Sequence, residues 1–164
     1  MNQQKNADYE SDNVKDKNNL ATYNQWSCGE YTNDLTDMDG NSQLITITSE
    51  DHVIGNKCIK LVKPANVSYW ANISFIYTIP SQLIGETFNL SCYVKTTHGT
   101  SCQLYKDSSY VMNLIQIPAT NIFTLISVSF TVPDAETLRI AFPYSPSLIS
   151  GEATLFIDNF IMNK

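Results

Sequence analysis

The sequence predicts an all-β chain, an antiparallel sandwich or barrel, from three observations. Apolar residues recur with a period of two in segment after segment. Gly, Pro and Asn turn signals separate those segments. No stretch long enough for a stable helix carries a 3.6-residue period. Composition agrees, with 16 Asn, 16 Ser and 15 Thr among 164 residues. Those types favour turns, strands and caps over helix interiors.

Leu44-Ile-Thr-Ile-Thr48 alternates after the turn Asp39-Gly40-Asn41-Ser42. Cys58-Ile-Lys-Leu-Val62 follows a Gly55-Asn56 turn, and a long β-rich run from Ser68 to Ile79 closes at Pro80. In Thr87–Thr96, Phe88, Leu90, Cys92 and Val94 face one way, and Asn89, Ser91, Tyr93 and Lys95 the other. Ser101–Asp107 and Val111–Ile117 supply another strand or two. Ile126, Val128, Phe130 and Val132 alternate with Ser and Thr before Pro133-Asp134. Thr137–Phe142 sends Leu138, Ile140 and Phe142 inward and Arg139 outward. Ala153–Met162 is the last strand. Residues 1–18 are polar, without periodicity, and are expected to form a flexible arm. Residues 19–164 then make one domain.

Several function classes are disfavoured. The net charge is −6, with nine Lys spread thinly and a single Arg, so the clustered cations that phosphate binding needs are missing. No apolar run is long enough to span a bilayer. Met1–Asp8 lacks the apolar stretch of a signal peptide, which points to a protein acting where it is made, an excised module, or a virion component. There is no G-x-S-x-G, no H-E-x-x-H and no phosphate-cradling glycine loop. Only His52 and His98 exist, so a Ser-His-Asp triad is not expected, and no sequence feature brings two carboxylates together for glycoside cleavage. The expectation is that the chain is not an enzyme.

Cys28, Cys58, Cys92 and Cys102 form no C-x-x-C pair, which argues against zinc. Cys58 and Cys92 lie in apolar strand patterns and are expected to be buried free thiols, with a Cys92–Cys102 disulfide as the alternative. Asn66-Val-Ser, Asn72-Ile-Ser and Asn89-Leu-Ser match the glycosylation acceptor pattern, as chance alone allows in an Asn- and Ser-rich chain.

The second half of the chain has an order of its own. Leu83-Ile-Gly-Glu-Thr-Phe-Asn-Leu-Ser-Cys-Tyr-Val-Lys95 is followed by Asn121-Ile-Phe-Thr-Leu-Ile-Ser-Val-Ser-Phe-Thr-Val-Pro133, then Leu138–Phe142, then Leu155-Phe-Ile-Asp-Asn-Phe-Ile161. This order resembles the jelly-roll carbohydrate-binding modules of the galactose-binding-like superfamily over roughly residues 19–164. Phe123 stands where those modules usually carry Trp. The resemblance implies a non-catalytic module of two facing antiparallel sheets, with a sugar chain on the concave sheet or at the loop rim. It also implies a structural calcium ion to which the closing Asp, here Asp158, gives a carboxylate, with Glu30 as a candidate partner.

The residues themselves leave Asp158 two explanations. An Asp inside an apolar strand needs coordination by a cation or backbone N–H partners at a bulge. The acidic stretch Asp34–Asn41 fails the EF-hand spacing and reads as a solvated loop.

Sugar recognition needs aromatic faces to stack on a pyranose, beside polar groups for its hydroxyls. Tyr93 and Arg139 lie opposite the apolar sets of their strands, and Tyr105 shares a strand face with Gln103 and Asp107. Tyr69 and Trp70 begin a strand, so one of the pair points outward. Trp70, Tyr93, Tyr105 and Arg139 are therefore the candidate sugar-binding residues. If their faces belong to one sheet, Tyr93, Tyr105 and Arg139 line one groove. The expected partner is a cell-wall or surface glycan, met outside the cell or on a virion, by a phage tail or host-adhesion protein or an accessory module of a secreted glycoside hydrolase. The alternative is a structural sandwich that packs against sister subunits and binds no sugar.

Overall fold

A computed structural model describes residues 44–55, 57–67, 69–145 and 151–163. The arm at 1–18, Trp26, Cys28, Glu30, Tyr31 and the acidic stretch at 34–41 lie outside the described residues. Within the described residues, nine strands run in order: β1 (Ile45–Thr48), β2 (Cys58–Lys63), β3 (Ala71–Thr78), β4 (Thr87–Thr96), β5 (Thr100–Lys106), β6 (Ser109–Ile117), β7 (Thr120–Thr131), β8 (Thr137–Tyr144) and β9 (Ala153–Asn163). A short 3₁₀ turn, Ser81–Leu83, follows Pro80.

These strands form two antiparallel sheets. Sheet one has the order β1-β2-β9-β4-β7, and sheet two the order β3-β8-β5-β6. The chain changes sheet at almost every connection, and only β1–β2 and β5–β6 are hairpin neighbours. Such crossing makes an all-β sandwich, in line with the alternation read from the sequence.

The alternating apolar residues close the core. Phe88, Leu90, Cys92 and Val94 of β4 face Leu138, Ile140 and Phe142 of β8, all buried. At the centre, Phe75 of β3 stacks on Phe160 of β9 with centroids 4.0 Å apart, and Phe142 stands edge-on to Phe75 at 6.4 Å. Thr96 on β4 adds a polar link between the sheets, for its Oγ1 donates to His98 O and is paired with the hydroxyl of Tyr144 on β8. Burial pushes the Tyr144 hydroxyl up to about 12.

One irregularity sets the phase of the last strand. Leu155 and Ile157 point into the core, and so do Phe160 and Met162, which strict alternation forbids. Asn159 supplies the extra residue, in the left-handed conformation (φ 54°), and the β4–β9 register shifts between Ser91 and Tyr93. Asn tolerates that conformation better than most residues.

Cys58, Cys92 and Cys102 are buried free thiols, so the Cys92–Cys102 disulfide is not formed. Cys92 and Cys102 belong to opposite sheets and act as small apolar side chains. Of the three glycosylation-like sequences, Asn72 is fully buried and closed to a glycan, whereas Asn66 and Asn89 are exposed.

Candidate functional site

The outer face of sheet two is built by three central registers. Ser74 of β3 stands beside Ala141 of β8, which stands beside Gln103 of β5 and then Asn113 of β6. Two residues along, the row is Ile76, Arg139, Tyr105 and Tyr110. Ser101 pairs with Gln116 on the other side. Their strand neighbours Ile73, Phe75, Leu104 and Ile140 are in the core, so these residues face away from it.

A groove of ≈ 210 Å³ crosses this face, lined by Trp70, Ser101, Gln103, Asn113, Gln116 and Ser145 among others. Trp70, just before β3, is 43% exposed and forms one end. The floor is amide and hydroxyl, and the groove lining contains no carboxylate, imidazole or thiol.

Beyond Gln103 the same face continues to a pair of tyrosines. The Tyr105 hydroxyl donates to Gln103 Oε1 at 3.0 Å, and its ring meets Tyr110 edge-on at 5.7 Å. Tyr105 is buried on this outer face, and burial raises its hydroxyl pKa, while Tyr110 is 54% exposed. From Trp70 to the level of Ile76 and Tyr105 is six residues, about 20 Å at ordinary strand rise. An exposed ring therefore stands near each end of a polar strip, with the charge of Arg139 at the Tyr110 end.

Of the four candidates from the sequence, the structure brings Trp70, Tyr105 and Arg139 to this one face. Tyr93 is not with them. It lies on β4 in sheet one, opposite Leu125 and Asp158, on the far side of the sandwich. The condition that all three strand faces share a sheet is not met, because β4 belongs to the other sheet from β5 and β8. Asp107 does not contribute to the strip either. It sits in the β5–β6 turn (φ 51°), and its Oδ1 accepts the amides of Glu136 and Thr137 at 3.1 and 3.0 Å.

Around Tyr93 the outer face of sheet one is engaged with its own chain. Lys95 is ion-paired with Asp51 and lies over the rings of Phe156 and Phe123 at 5.2 and 5.9 Å. Lys60 pairs with Glu50 and lies over Phe156 at 5.4 Å. These cations anchor the segment after β1.

Asp158 is the third anchor. Its Oδ2 accepts the amides of Val53 and Ile54 at 2.7 and 2.9 Å, and its Oδ1 accepts the amide of Asn159 at 2.8 Å. Burial raises the Asp158 pKa, with the three amides pulling the other way. Both oxygens are thus occupied by backbone donors, and no group of three His, Cys, Asp or Glu converges among the described residues. Of the two explanations for this buried carboxylate, backbone N–H partners at a bulge are the one present among the described residues. Glu30 lies outside the described residues.

Sequence reasoning missed Tyr110, Asn113 and Gln116 as site residues. The sequence places Val111–Ile117 as a strand, but the register that sets these three beside Tyr105, Gln103 and Ser101 contains two shifts. Such irregularities leave no period-two trace.

Comparison with known proteins bears on fold. No family model matches the sequence, and no curated protein matches it. Solved structures do. The CBM22-1 xylan-binding domain from Paenibacillus barcinonensis Xyn10C superposes with a TM-score of 0.58 at 12% identity, over 96% of this chain and 91% of that one. TmCBM61, solved in complex with β-1,4-galactotriose, gives 0.53 at 10% identity, over 100% and 99%. The enzymatically active domain of tailspike protein 4 from bacteriophage CBA120 gives 0.56 at 19% identity, over 96% of this chain and 21% of that one. The fold is the β-sandwich of carbohydrate-binding modules. At these identities the likeness speaks to architecture alone.

Proposed function

We propose that this chain is a non-catalytic carbohydrate-binding module that holds a polysaccharide on the outer face of sheet two. The observation that carries the reading is the pairing of exposed Trp70 and Tyr110 across a neutral floor of Gln103, Asn113 and Gln116. Aromatic rings cover the apolar C–H faces of pyranoses, and amides match the mixed donors and acceptors of sugar hydroxyls. A strip of about 20 Å accommodates a short run of sugar units rather than a single one. The groove's lack of acid–base groups supports binding without cleavage.

The similarity to a xylan-binding domain and to a module solved with β-1,4-galactotriose supports a glycan partner, and the tailspike similarity supports a place on a phage tail protein, outside the cell or on a virion. An accessory module of a secreted glycoside hydrolase is the other setting compatible with this surface. Structural calcium is no part of the proposal, since three backbone amides already account for the buried Asp158 carboxylate.

Affinity gel electrophoresis against a panel of cell-wall and storage polysaccharides tests the reading. Retardation by at least one polymer, lost in Trp70→Ala or Tyr110→Ala, is the expected result. Each truncation should weaken binding by roughly 1–3 kcal/mol, the range in which aromatic anchors dominate recognition. Absence of retention on every polymer rejects the proposal.

One observation favours a second reading, assembly. The edge strands β6 and β7 expose Val111, Met112, Ile122 (71%) and Leu125 (56%). Exposed apolar edges of this kind join subunits in oligomers. A concentration-independent multimer in sedimentation, with no glycan binding, would favour it.

A further inference from the structure

Resting on the carbohydrate reading above, we infer that the preferred ligand carries a carboxylate, as in a uronic or sialic acid unit, and that Arg139 engages it. Arg139 is the chain's single arginine, and it stands in the middle of the outer face of sheet two, between Ile76 and Tyr105. Among the described residues its guanidinium makes no ion pair and no hydrogen bond. Its Nε is enclosed without an acceptor, while the side chain as a whole is half-buried.

The neighbouring groups deepen the imbalance. Gln103 Oε1 is taken by the Tyr105 hydroxyl, which leaves the amide NH₂ of Gln103 as its unengaged end. Asn72 Oδ1 is taken by Ser74 Oγ at 2.6 Å, and Asn72 Nδ2 is buried without a partner. At Gln103 and Asn72 the amide oxygens are thus engaged within the fold, and Arg139 adds a charged donor beside them. A sugar hydroxyl both donates and accepts, so it balances such a set of donors poorly. A carboxylate only accepts, carries the complementary charge, and matches the guanidinium fork two oxygens to two nitrogens.

The acids close in sequence do not supply that acceptor. Asp107, two residues past Tyr105, is turned to the amides of Glu136 and Thr137. The overall charge of −6 opposes a polyanion only beyond contact range, since exposed charges more than about 10 Å apart are screened at 0.1 M salt.

The test compares polygalacturonate with its fully methyl-esterified form, which keeps the chain and the carbonyl but loses the charge, and includes neutral xylan and galactan. The wild-type protein should bind the free acid at least about tenfold more tightly than the ester, as expected for a charge-assisted bidentate contact. Arg139→Gln should abolish that gap. Arg139→Lys, which keeps the charge without the fork, should restore part of it. Trp70→Ala should weaken both polymers alike. Equal binding of acid and ester, or a gap that survives Arg139→Gln, overturns the carboxylate inference while sugar binding stands. Failure to bind any of the polymers, neutral ones included, overturns the underlying reading instead.

Discussion

Phe75 of β3 and Phe160 of β9 stack face to face across the interior, 8° from parallel, and so tie an edge strand of one sheet to the central strand of the other. Both are fully buried, and Phe142 closes on each of them edge-on, at 6.4 and 6.5 Å.

Truncating this pair is the largest single loss of stability expected in the domain. Phe75→Ala or Phe160→Ala should destabilise by about 3–5 kcal/mol, the transfer and cavity terms together. Urea unfolding followed by circular dichroism measures it. A loss under about 1 kcal/mol would mean that the sheets are not joined through these rings.

Asp158 should matter for stability without any metal. Asp158→Asn leaves at least one of three charge-assisted amide bonds without its acceptor, a loss of about 1.5–3 kcal/mol. EDTA or added calcium should leave the wild-type melting temperature where it was. A rise of several degrees with calcium would contradict the amide-satisfied account.

The two acids that hold the segment after β1 respond to pH with opposite sign. The hydrogen bond from Lys95 holds the Asp51 carboxyl below its ordinary value of 3.8. The stabilisation it gives is present above that value and is lost as pH falls through the lowered one. Burial raises Asp158 above 3.8, so its contribution is most favourable below 3.8 and diminishes as pH rises through the raised value. Melting curves between pH 2 and pH 7 should therefore steepen on the acid side for Asp158→Asn and flatten for Asp51→Asn. Parallel curves for wild type and both variants would refute the assignment.

The thiols should be silent in the native state. Burial pushes Cys58 up to about 12, and Cys92 and Cys102 are raised by burial as well. In a Cys28→Ser background, iodoacetamide at pH 8 should label none of the three until denaturant is added. Mass spectrometry of the intact protein reads the count, and native labelling would show that these strands open.

The strands were legible because period-two alternation is a direct trace of a sheet with one face in the core. Phe88 to Val94 illustrates it, since each residue lies where its parity sends it. Leu138, Ile140 and Arg139 behave the same way. Sheet membership was not legible. Alternation says which way Tyr93 and Tyr105 turn from their neighbours, and nothing about which strand pairs with which, so Tyr93 went to one sheet and Tyr105 to the other. The exposed apolar start of β7, Ile122 to Leu125, also escapes the pattern, because pairing with β4 holds it extended without a buried face. Asp158 was identifiable as an oddity inside an apolar run, but its partners Val53 and Ile54 offer only backbone, which no side-chain pattern records.

The extra residue in β9 makes that ribbon behave like a zipper with one doubled tooth. Straightening that doubled tooth into ordinary extended backbone, with the chain length unchanged, would leave Ile157 seated while rotating Phe160 and Met162 half a turn, out into water. A change of backbone conformation at one position would then forfeit two large anchors and the ring stack at once, a heavier blow than replacing either anchor by itself.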